Sequence, residues 1–288
     1  MWQARYVAER LGDDAAELVV IKTKGDRIQN AAFNQIEGTG FFTKEIEEAL
    51  LACEIDLAVH SLKDLPTKTA DGLILAAVPK RENPADVLVA RQDSIDVNMP
   101  IGLKQGAVVG TASARRQAQL SHLRPDIKTI PIRGNVGTRI NKLSEGFCSA
   151  VVLAAAGIAR LQLDVTGFTA TPIPFDMFLP APGQGALGLQ ARAKDERVLS
   201  AVLPLNDEKS HICVTAERAF LNEFGGGCHI PLGALALIDD NGMVVLDGLV
   251  AAADGSVVFR EQTSAADPAE AGRLLANILK AKGAGEVL

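Results

Sequence analysis

Short apolar runs alternate with amphipathic stretches over the first two thirds of the chain, and this pattern predicts an α/β fold. The apolar runs predict strands at Glu17 to Thr23, Ile55 to His60, Leu73 to Val78, Asp86 to Ala90, Ala107 to Gly110, Lys128 to Ile132, Ala150 to Ala154 and Leu187 to Ala191. The stretches with apolar residues on one face predict helices at Thr43 to Ala52, Ser113 to Leu123, Val136 to Leu143 and Ala155 to Leu161. The run Ile55 to His60 is typical of a buried parallel strand. The succession from residue 107 to 161 is βαβαβα, which predicts a mostly parallel sheet with right-handed crossovers.

Two stretches interrupt this alternation and are interpreted as crossings between domains. Lys80 to Pro84 is polar and contains proline, and Phe175 to Gly185 is rich in proline and glycine. The strand that begins at Leu187 is therefore expected to return to the first unit.

The last third of the chain has a different pattern, which predicts a small antiparallel α+β domain. A helix over Val214 to Phe224 is expected to end at the run Gly225-Gly226-Gly227. Three strands follow near 232–238, 243–251 and 256–262, and a helix over 266–282 closes the chain. Asp240-Asn241-Gly242 and Asp254-Gly255 are typical of the hairpin turns that would join the strands.

Composition and charge exclude several functional classes. The 288 residues suffice for two or three domains of about 100–150 residues each. The net charge of −6 argues against non-specific binding of nucleic acid. No apolar run approaches the roughly 20 residues that span a bilayer, and the first residues have no apolar signal core, so a cytoplasmic location is expected. The four cysteines are too few and too scattered for a disulfide framework, and they lack the C-x-x-C spacing of a metal site.

Two arginine-rich segments each follow a predicted strand. In Gly110-Thr111-Ala112-Ser113-Ala114-Arg115-Arg116-Gln117, two arginines occupy a first helical turn, where the helix dipole disfavours positive charge. A bound anion would offset that repulsion, whereas the alternative is a capped helix with solvated arginines. In Ile130 to Arg139, Arg133 ends a strand and Arg139 lies on the next helix. Four arginines at one sheet edge predict binding of a polyanion, and either carboxylates or phosphates fit.

Two further segments are candidates for chemistry. His60-Ser61-Leu62-Lys63-Asp64-Leu65-Pro66 places a lysine and a carboxylate directly after a strand. These residues could form a surface ion pair. Alternatively, Asp64 could act as a general acid or base, or stabilise positive charge, beside an anion held by Lys63. His60 is interpreted as a core residue. Cys228, after three glycines, is either a small apolar side chain in a turn or a reactive, covalently modified thiol.

Taken together, these segments resemble the porphobilinogen deaminase family. The matching stretches occur in the family's order over nearly the whole chain: FFTKEIEEALL, DLAVHSLKDLPT, VVGTASARRQAQL, IRGNVGTRINKL, PAPGQGALGLQ and VTAERAFLNEFGGGCHIPLGA. The resemblance implies a monomeric transferase of porphyrin and haem biosynthesis, which condenses four porphobilinogen molecules head to tail into hydroxymethylbilane and releases four ammonia molecules. It also implies a dipyrromethane cofactor joined by a thioether to Cys228.

The resemblance further implies three domains. Domain 1 is expected over 1–83 and 180–201, domain 2 over 84–179, and domain 3, with the cofactor cysteine, over 202–288. The first two would be periplasmic-binding-protein-like (type II) α/β domains that face each other across a cleft. Domain 3 would be a small α+β domain with a three-stranded antiparallel sheet.

The resemblance also implies roles for individual residues. Asp64 would be catalytic, and it would stabilise positive charge on pyrrole nitrogens as a buried carboxylate in a dry cleft. The residues expected to bind the cofactor are Ser61, Lys63, Thr111, Ser113, Arg115, Arg116 and Gly157. Those expected to contact the substrate are Arg133, Arg139, Phe42, Gln184 and Gln3. Since each pyrrole carries an acetate and a propionate, a polycarboxylate explains arginine clusters in a net-acidic protein.

The sequence departs from the family pattern in two places. The chain starts at Met1-Trp2-Gln3, just after the family's first strand and its Arg-x-Ser-x-Leu-Ala motif, so a strand, an arginine and a serine are expected to be missing. Gln35 and Thr39 replace two lysines of a glycine-flanked loop that would cover the cleft.

Three alternatives to an active deaminase are compatible with the sequence. One is a catalytically impaired, N-terminally truncated form. Another is a non-catalytic protein that binds a polycarboxylate, and the third is an enzyme for a phosphate ligand. The lack of a G-x-x-x-x-G-K-[ST] motif argues against the last. No nucleic-acid or membrane partner is expected.

Overall fold

The structure is a computed structural model, and it describes residues 1–12, 16–21, 23, 43–227 and 230–288. Its helices and strands are α1 (Trp2–Leu11), α2 (Lys44–Leu51), β1 (Leu57–Ser61), β2 (Leu73–Ala77), β3 (Asp86–Ala90), β4 (Val108–Gly110), α3 (Ala114–Leu123), β5 (Lys128–Ile130), α4 (Val136–Ser144), β6 (Ala150–Ala154), α5 (Ala155–Arg160), β7 (Thr169–Pro172), β8 (Leu187–Arg192), α6 (Glu196–Val202), α7 (Glu208–Glu223), β9 (Leu232–Ile238), β10 (Val244–Ala251), β11 (Val258–Ala265) and α8 (Pro268–Ala281). Within the described ranges, no helix has both the length and the apolar character that a membrane crossing needs.

The first sheet has the strand order β1-β8-β2. As predicted, β8 returns to this unit, and it pairs with both neighbours in antiparallel register. The expectation of a parallel partner for β1 is therefore wrong, because β8 arrives from the second sheet and runs opposite to β1. Leu189 and Ala191 of β8 pack against Val7 of α1 and Val198 of α6.

The strand predicted over Glu17 to Thr23 is not present among the described residues of that segment. Its apolar side chains do not pack on a sheet, since Val19 and Val20 are 60% and 65% exposed. An apolar run becomes a strand only when a neighbour pairs with its backbone, and none of the strands described here does so.

The second sheet has the order β5-β4-β6-β3-β7. The strands β5, β4 and β6 are parallel, so their carboxyl ends meet at one edge. The prediction of a mostly parallel sheet is wrong for the other half, because β3 is antiparallel to both β6 and β7. The strand β7 was not predicted. Its sequence Thr-Ala-Thr-Pro is short, and its proline suits only an edge position.

The third sheet has the order β11-β10-β9 and is antiparallel throughout, as predicted. Both predicted turns are confirmed, with Gly242 and Gly255 at φ of 78° and 77°, where glycine is favoured. Helices α7 and α8 pack on this sheet around Phe220 and Leu275. The α/β class with a C-terminal three-stranded antiparallel sheet is therefore confirmed.

Helix α7 and the third sheet contact both other units. Val214 of α7 packs with Leu62 and Val78 of the first unit. Leu235 of β9 packs with Ala118 of α3 and with Leu179. The elements that carry the predicted site residues are thus held against one common C-terminal unit.

Candidate functional site

A buried ion cluster lies at the start of α3, where the first arginine-rich segment was predicted to bind an anion. Arg115 and Arg116 are 4% and 5% exposed, and both contact the carboxylate of Asp86, which is 1% exposed. Arg115 Nη1 donates to Asp86 Oδ2 at 2.6 Å. Arg116 donates to Asp86 Oδ1 from Nε at 3.0 Å and from Nη2 at 2.6 Å. Gln184 Nε2 donates to the same oxygen at 3.1 Å.

Asp86 supplies the negative charge beside the two arginines at the start of α3. The sequence pattern favours a bound anion beside the two arginines of the first turn, but the carboxylate at the start of β3 already opposes their charge. Burial alone would raise the pKa of Asp86, but the charges of Arg115 and Arg116 hold it well below the usual range. Asp86 therefore stays ionised at neutral pH, and it is a site residue that the sequence analysis missed.

The cluster nevertheless retains a surplus of positive charge, because two guanidinium groups face one carboxylate. Lys63 lies within electrostatic reach of this cluster. Burial lowers the pKa of Lys63, the charges of Arg116 and Arg115 lower it further, and Asp64 and Asp86 act in the opposite direction.

Two buried polar atoms of the cluster lack a hydrogen-bond partner among the described residues. They are Arg115 Nε, a donor, and Gln184 Oε1, an acceptor. A buried polar atom without a partner is costly, and in native proteins it commonly marks a position that a ligand or water completes.

Asp64 lies at the end of a 3₁₀ turn, Leu62–Asp64, that directly follows β1. The predicted position at the carboxyl end of the strand is confirmed. The expectation of a buried carboxylate is wrong, since Asp64 is exposed whereas Leu62 and Leu65 on either side are buried. The turn directs its apolar side chains into the core and leaves the carboxylate on the outer side.

The second arginine-rich segment lies close to the first. Burial lowers the pKa of Arg139, and the charge of Arg116 lowers it further, so these two guanidinium groups are near each other. Arg139 Nε donates to the carbonyl of Gly134 at 3.0 Å. Arg133 precedes this turn and is half-buried. Gly157 of α5 faces the start of α4, where a Cβ would lie 3.4 Å from Val136.

The predicted hydroxyl ligands occupy the ends of strands and helices. Thr111 is fully buried directly after β4, and its Oγ1 accepts from the backbone N–H of Ser113 at 3.2 Å. Ser113 is the N-cap residue of α3, without a capping bond from its side chain. Ser61 ends β1 opposite Leu187.

Arg160, at the end of α5, is another residue that the sequence analysis missed. Its Nη2 donates to the carbonyl of Gly185 at 2.7 Å. Its buried Nε has no partner within the described part of the chain. The guanidinium carbon lies 5.7 Å from the ring centre of Trp2, so the start of α1 is close to this arginine. Gln3 is half-buried in the first turn of α1.

His60 is a core residue, as interpreted from the sequence. Its Nε2 lies 3.0 Å from Gln190 Oε1, and Gln190 Nε2 donates to Glu47 Oε1 at 2.7 Å. Because the amide of Gln190 faces Glu47, its oxygen must accept, so His60 carries its proton on Nε2. Burial lowers the pKa of His60 to about 4, and the charge of Arg218 also lowers it.

Several predicted positions lie outside the described residues. These are Phe42, Cys228, Gln35 and Thr39. The roles assigned to them stay predictions.

The structure is that of a three-sheet α/β protein with a buried cluster in which two arginines face one carboxylate. Residues 1–200 match the family model described as porphobilinogen deaminase, dipyromethane cofactor binding domain. Residues 211–281 match porphobilinogen deaminase, C-terminal domain. The chain belongs to the porphobilinogen deaminase family.

Curated relatives match along the whole chain. The porphobilinogen deaminase of Moorella thermoacetica is 46% identical over 294 residues, which cover 100% of this chain and 91% of the relative. That of Brevibacillus brevis is 41% identical, with 99% of this chain and 92% of the relative covered. Among solved structures, the substrate binding protein of an amino acid ABC transporter matches with a TM-score of 0.36 and 15% identity, over 70% of this chain and 76% of that one.

Proposed function

We propose that this chain is a transferase with hydroxymethylbilane synthase activity, which joins four porphobilinogen molecules head to tail, releases four ammonia molecules and consumes one water molecule to form the hydroxymethyl group of the product. The observation that carries this proposal is the match to the deaminase family over 1–200 and 211–281 together. The site adds a chemical reason, since porphobilinogen and its oligomers carry two carboxylates per ring and the cluster around Arg115 has surplus positive charge.

The residues present fit a dipyrromethane cofactor. Its acetate and propionate groups are hydrogen-bond acceptors, and Arg115 Nε is a buried donor without a described partner. Lys63, Arg116, Thr111 and Ser113 would hold these carboxylates with charge-assisted or hydroxyl hydrogen bonds. When bound, the cofactor supplies the pyrrole to which the first substrate is joined, and Cys228 would carry it through a thioether.

The substrate would be held by the remaining predicted positions. Arg133 and Arg139 bind its carboxylates, and the closeness of Arg139 to Arg116 supports a shared site for cofactor and substrate. Gln184 contributes Oε1, which has no hydrogen-bond partner within the described part of the chain, as an acceptor. We assign Phe42, Gln3 and the backbone at Gly157 to the lining of the same cleft.

Asp64 supplies the negative charge that the reaction requires. As ammonia leaves the substrate, positive charge develops on the pyrrole ring, and a carboxylate beside the nitrogen stabilises it. Asp64 suits this role because it is exposed at the end of the 3₁₀ turn and next to Lys63, which in turn lies within electrostatic reach of the arginine cluster.

The finer organisation is also part of the proposal. Domain 1 comprises 1–83 and 180–201, domain 2 comprises 84–179, and domain 3 comprises 202–288. The two segments that connect the first and second sheets, Lys80 to Pro84 and Phe175 to Gly185, support these limits. The protein acts as a cytoplasmic monomer.

A direct assay tests the proposed activity. The purified chain, incubated with porphobilinogen, is expected to release one ammonia per porphobilinogen consumed and to form one tetrapyrrole per four. Consumption is measured colorimetrically, and the product is measured as porphyrin after cyclisation and oxidation. If porphobilinogen binds but neither ammonia nor tetrapyrrole forms, the chain is a polycarboxylate-binding protein and the proposed activity is wrong.

A further inference from the structure

We propose that Arg218 is a positioning residue, which holds the turn that carries Asp64 in place from the C-terminal unit. The inference rests on the proposed function, because it takes Asp64 to be the catalytic carboxylate. Arg218 belongs to α7 and does not touch the predicted ligand-binding residues through any described hydrogen bond.

The contacts of Arg218 surround Asp64 on both sides. Its Nη1 donates to the carbonyl of Leu65 at 2.9 Å, and more weakly to that of Leu62 at 3.5 Å. Its Nη2 donates to the carbonyl of Pro66 at 2.6 Å. One rigid guanidinium therefore fixes three carbonyls in a segment of five residues, with Asp64 between them.

This anchor matters because the Asp64 side chain is exposed. An exposed side chain has little packing to define its position, so its direction depends on the backbone of the turn. A displacement of about 1 Å at a reacting group can lower a rate by about 100-fold. Among the described backbone hydrogen bonds, one closes the turn, from the N–H of Leu65 to the carbonyl of Leu62 at 3.3 Å, and one ties its first residue to the segment before β8, from the N–H of Leu62 to the carbonyl of Ala186 at 3.0 Å.

The electrostatics of Arg218 also indicate a dedicated role. Burial lowers its pKa to about 10, so the side chain remains cationic at neutral pH. Among the described residues, the ion pairs do not include Arg218. Its neighbour Glu217, by contrast, pairs with Arg81 at 2.7 Å. The described hydrogen bonds of the Arg218 guanidinium all go to the Asp64 turn.

A second contact joins Thr67, just after this turn, to the end of α7, next to the glycine run before Cys228. Thr67 Oγ1 donates to Asn222 Oδ1, near the end of α7, at 3.0 Å. A Cβ built on Gly226 would lie 2.4 Å from Thr67 Oγ1, so the glycine run passes directly against the turn. Helix α7 thus fixes the Asp64 turn relative to the segment that leads to the cofactor cysteine.

The test compares Arg218→Met, Arg218→Lys and the control Arg260→Met. Methionine keeps much of the length and apolar contact of arginine but removes the donors. Arg260 of β11 is the control, since its guanidinium also donates to backbone carbonyls, those of Phe175 and Asp176, but far along the chain from Asp64. Unlike Arg218, it also pairs with a carboxylate, that of Asp247, at 2.6 Å. Each variant is examined by intact mass, steady-state kinetics with porphobilinogen and hydrogen–deuterium exchange of the peptide containing 62–67.

Arg218→Met is expected to lower kcat by about 10- to 100-fold with KM changed less than about threefold. Exchange of the 62–67 amides should become faster, while the mass still shows the cofactor. Arg218→Lys should recover part of kcat, because an ammonium can satisfy some of the carbonyls. Arg260→Met should change neither kcat nor this exchange.

Unchanged kcat and exchange in Arg218→Met would overturn the proposal. The proposal would also be overturned if Arg218→Met and Arg260→Met lost kcat equally and the exchange of the 62–67 peptide did not change. Arg218 would then have a merely structural role. If Arg218→Met does not fold, Arg218→Lys gives the same comparison. If the wild-type protein itself is inactive, the proposed function fails, and the exchange measurement alone decides whether Arg218 holds the turn.

Discussion

Asp64→Asn is expected to lower turnover of porphobilinogen by about 100- to 10,000-fold. Asparagine has nearly the same shape as aspartate, but it cannot provide the negative charge that opposes charge development on the pyrrole. Because Asp64 is exposed, the free energy of unfolding of the variant should differ from that of the wild type by no more than about 0.5 kcal/mol. The cofactor should still be attached, so intact mass and steady-state kinetics on the same sample separate loading from catalysis.

Asp71→Asn serves as the control for this experiment. Asp71 is also an exposed aspartate in a turn of the first unit, before β2, and it has no proposed role. Its substitution should leave kcat unchanged. Near-normal turnover in Asp64→Asn would contradict the role assigned to Asp64, whatever the behaviour of the control.

Asp86→Asn is expected to have the largest effect on stability, a loss of about 3–5 kcal/mol in the free energy of unfolding. The substitution leaves Arg115 and Arg116 buried opposite a neutral amide, with their mutual repulsion uncompensated. Urea unfolding followed by circular dichroism measures the change.

The control for Asp86 is Asp93→Asn. Asp93 also receives two bonds from one arginine, Arg91, but its side chain is 63% exposed. Solvent screens this pair, so the expected loss of unfolding free energy is much smaller than that of Asp86→Asn. Equal losses in the two variants would contradict the account of the buried cluster.

The contribution of Asp86 to the free energy of unfolding should also depend on pH. Since Arg115 and Arg116 hold the pKa of Asp86 below its usual range, its stabilising contribution is present above the ordinary aspartate pKa of about 3.9. That contribution is lost progressively as pH falls below this value. The difference in unfolding free energy between wild type and Asp86→Asn should therefore narrow at acid pH.

Elements that depend on local pattern were predictable from the sequence. The runs that became β3 and β6 have the predicted bounds, because continuous apolar sequence with β-branched residues suits a central strand. The hairpin turns at Gly242 and Gly255 were equally clear, since their backbone conformation favours glycine. Strand direction was not predictable, because the antiparallel pairing of β1 with β8 depends on residues more than a hundred positions apart.

In the candidate site, too, residues marked by a local sequence pattern were predictable, whereas contacts between distant residues were not. The arginines and Asp64 were identified because they follow strands, and the arginine pair also conflicted with the helix dipole. Asp86 was missed, although a charged residue at the start of the apolar run Asp-Val-Leu-Val-Ala was a signal that it required a partner. The contacts of Arg218 could not be predicted, because its partners are main-chain carbonyls. Every residue has one, so the sequence does not indicate which of them bind an arginine.

We expect the chain to be a deaminase that carries its pyrrole primer covalently at Cys228. The intact mass of the denatured protein, compared with that of Cys228→Ser, tests it most directly. The wild type is expected to exceed the mass of the bare chain by two linked pyrrole units, and Cys228→Ser is expected to have no excess. A wild-type mass equal to that of the bare chain, or the same excess in both proteins, would contradict the account.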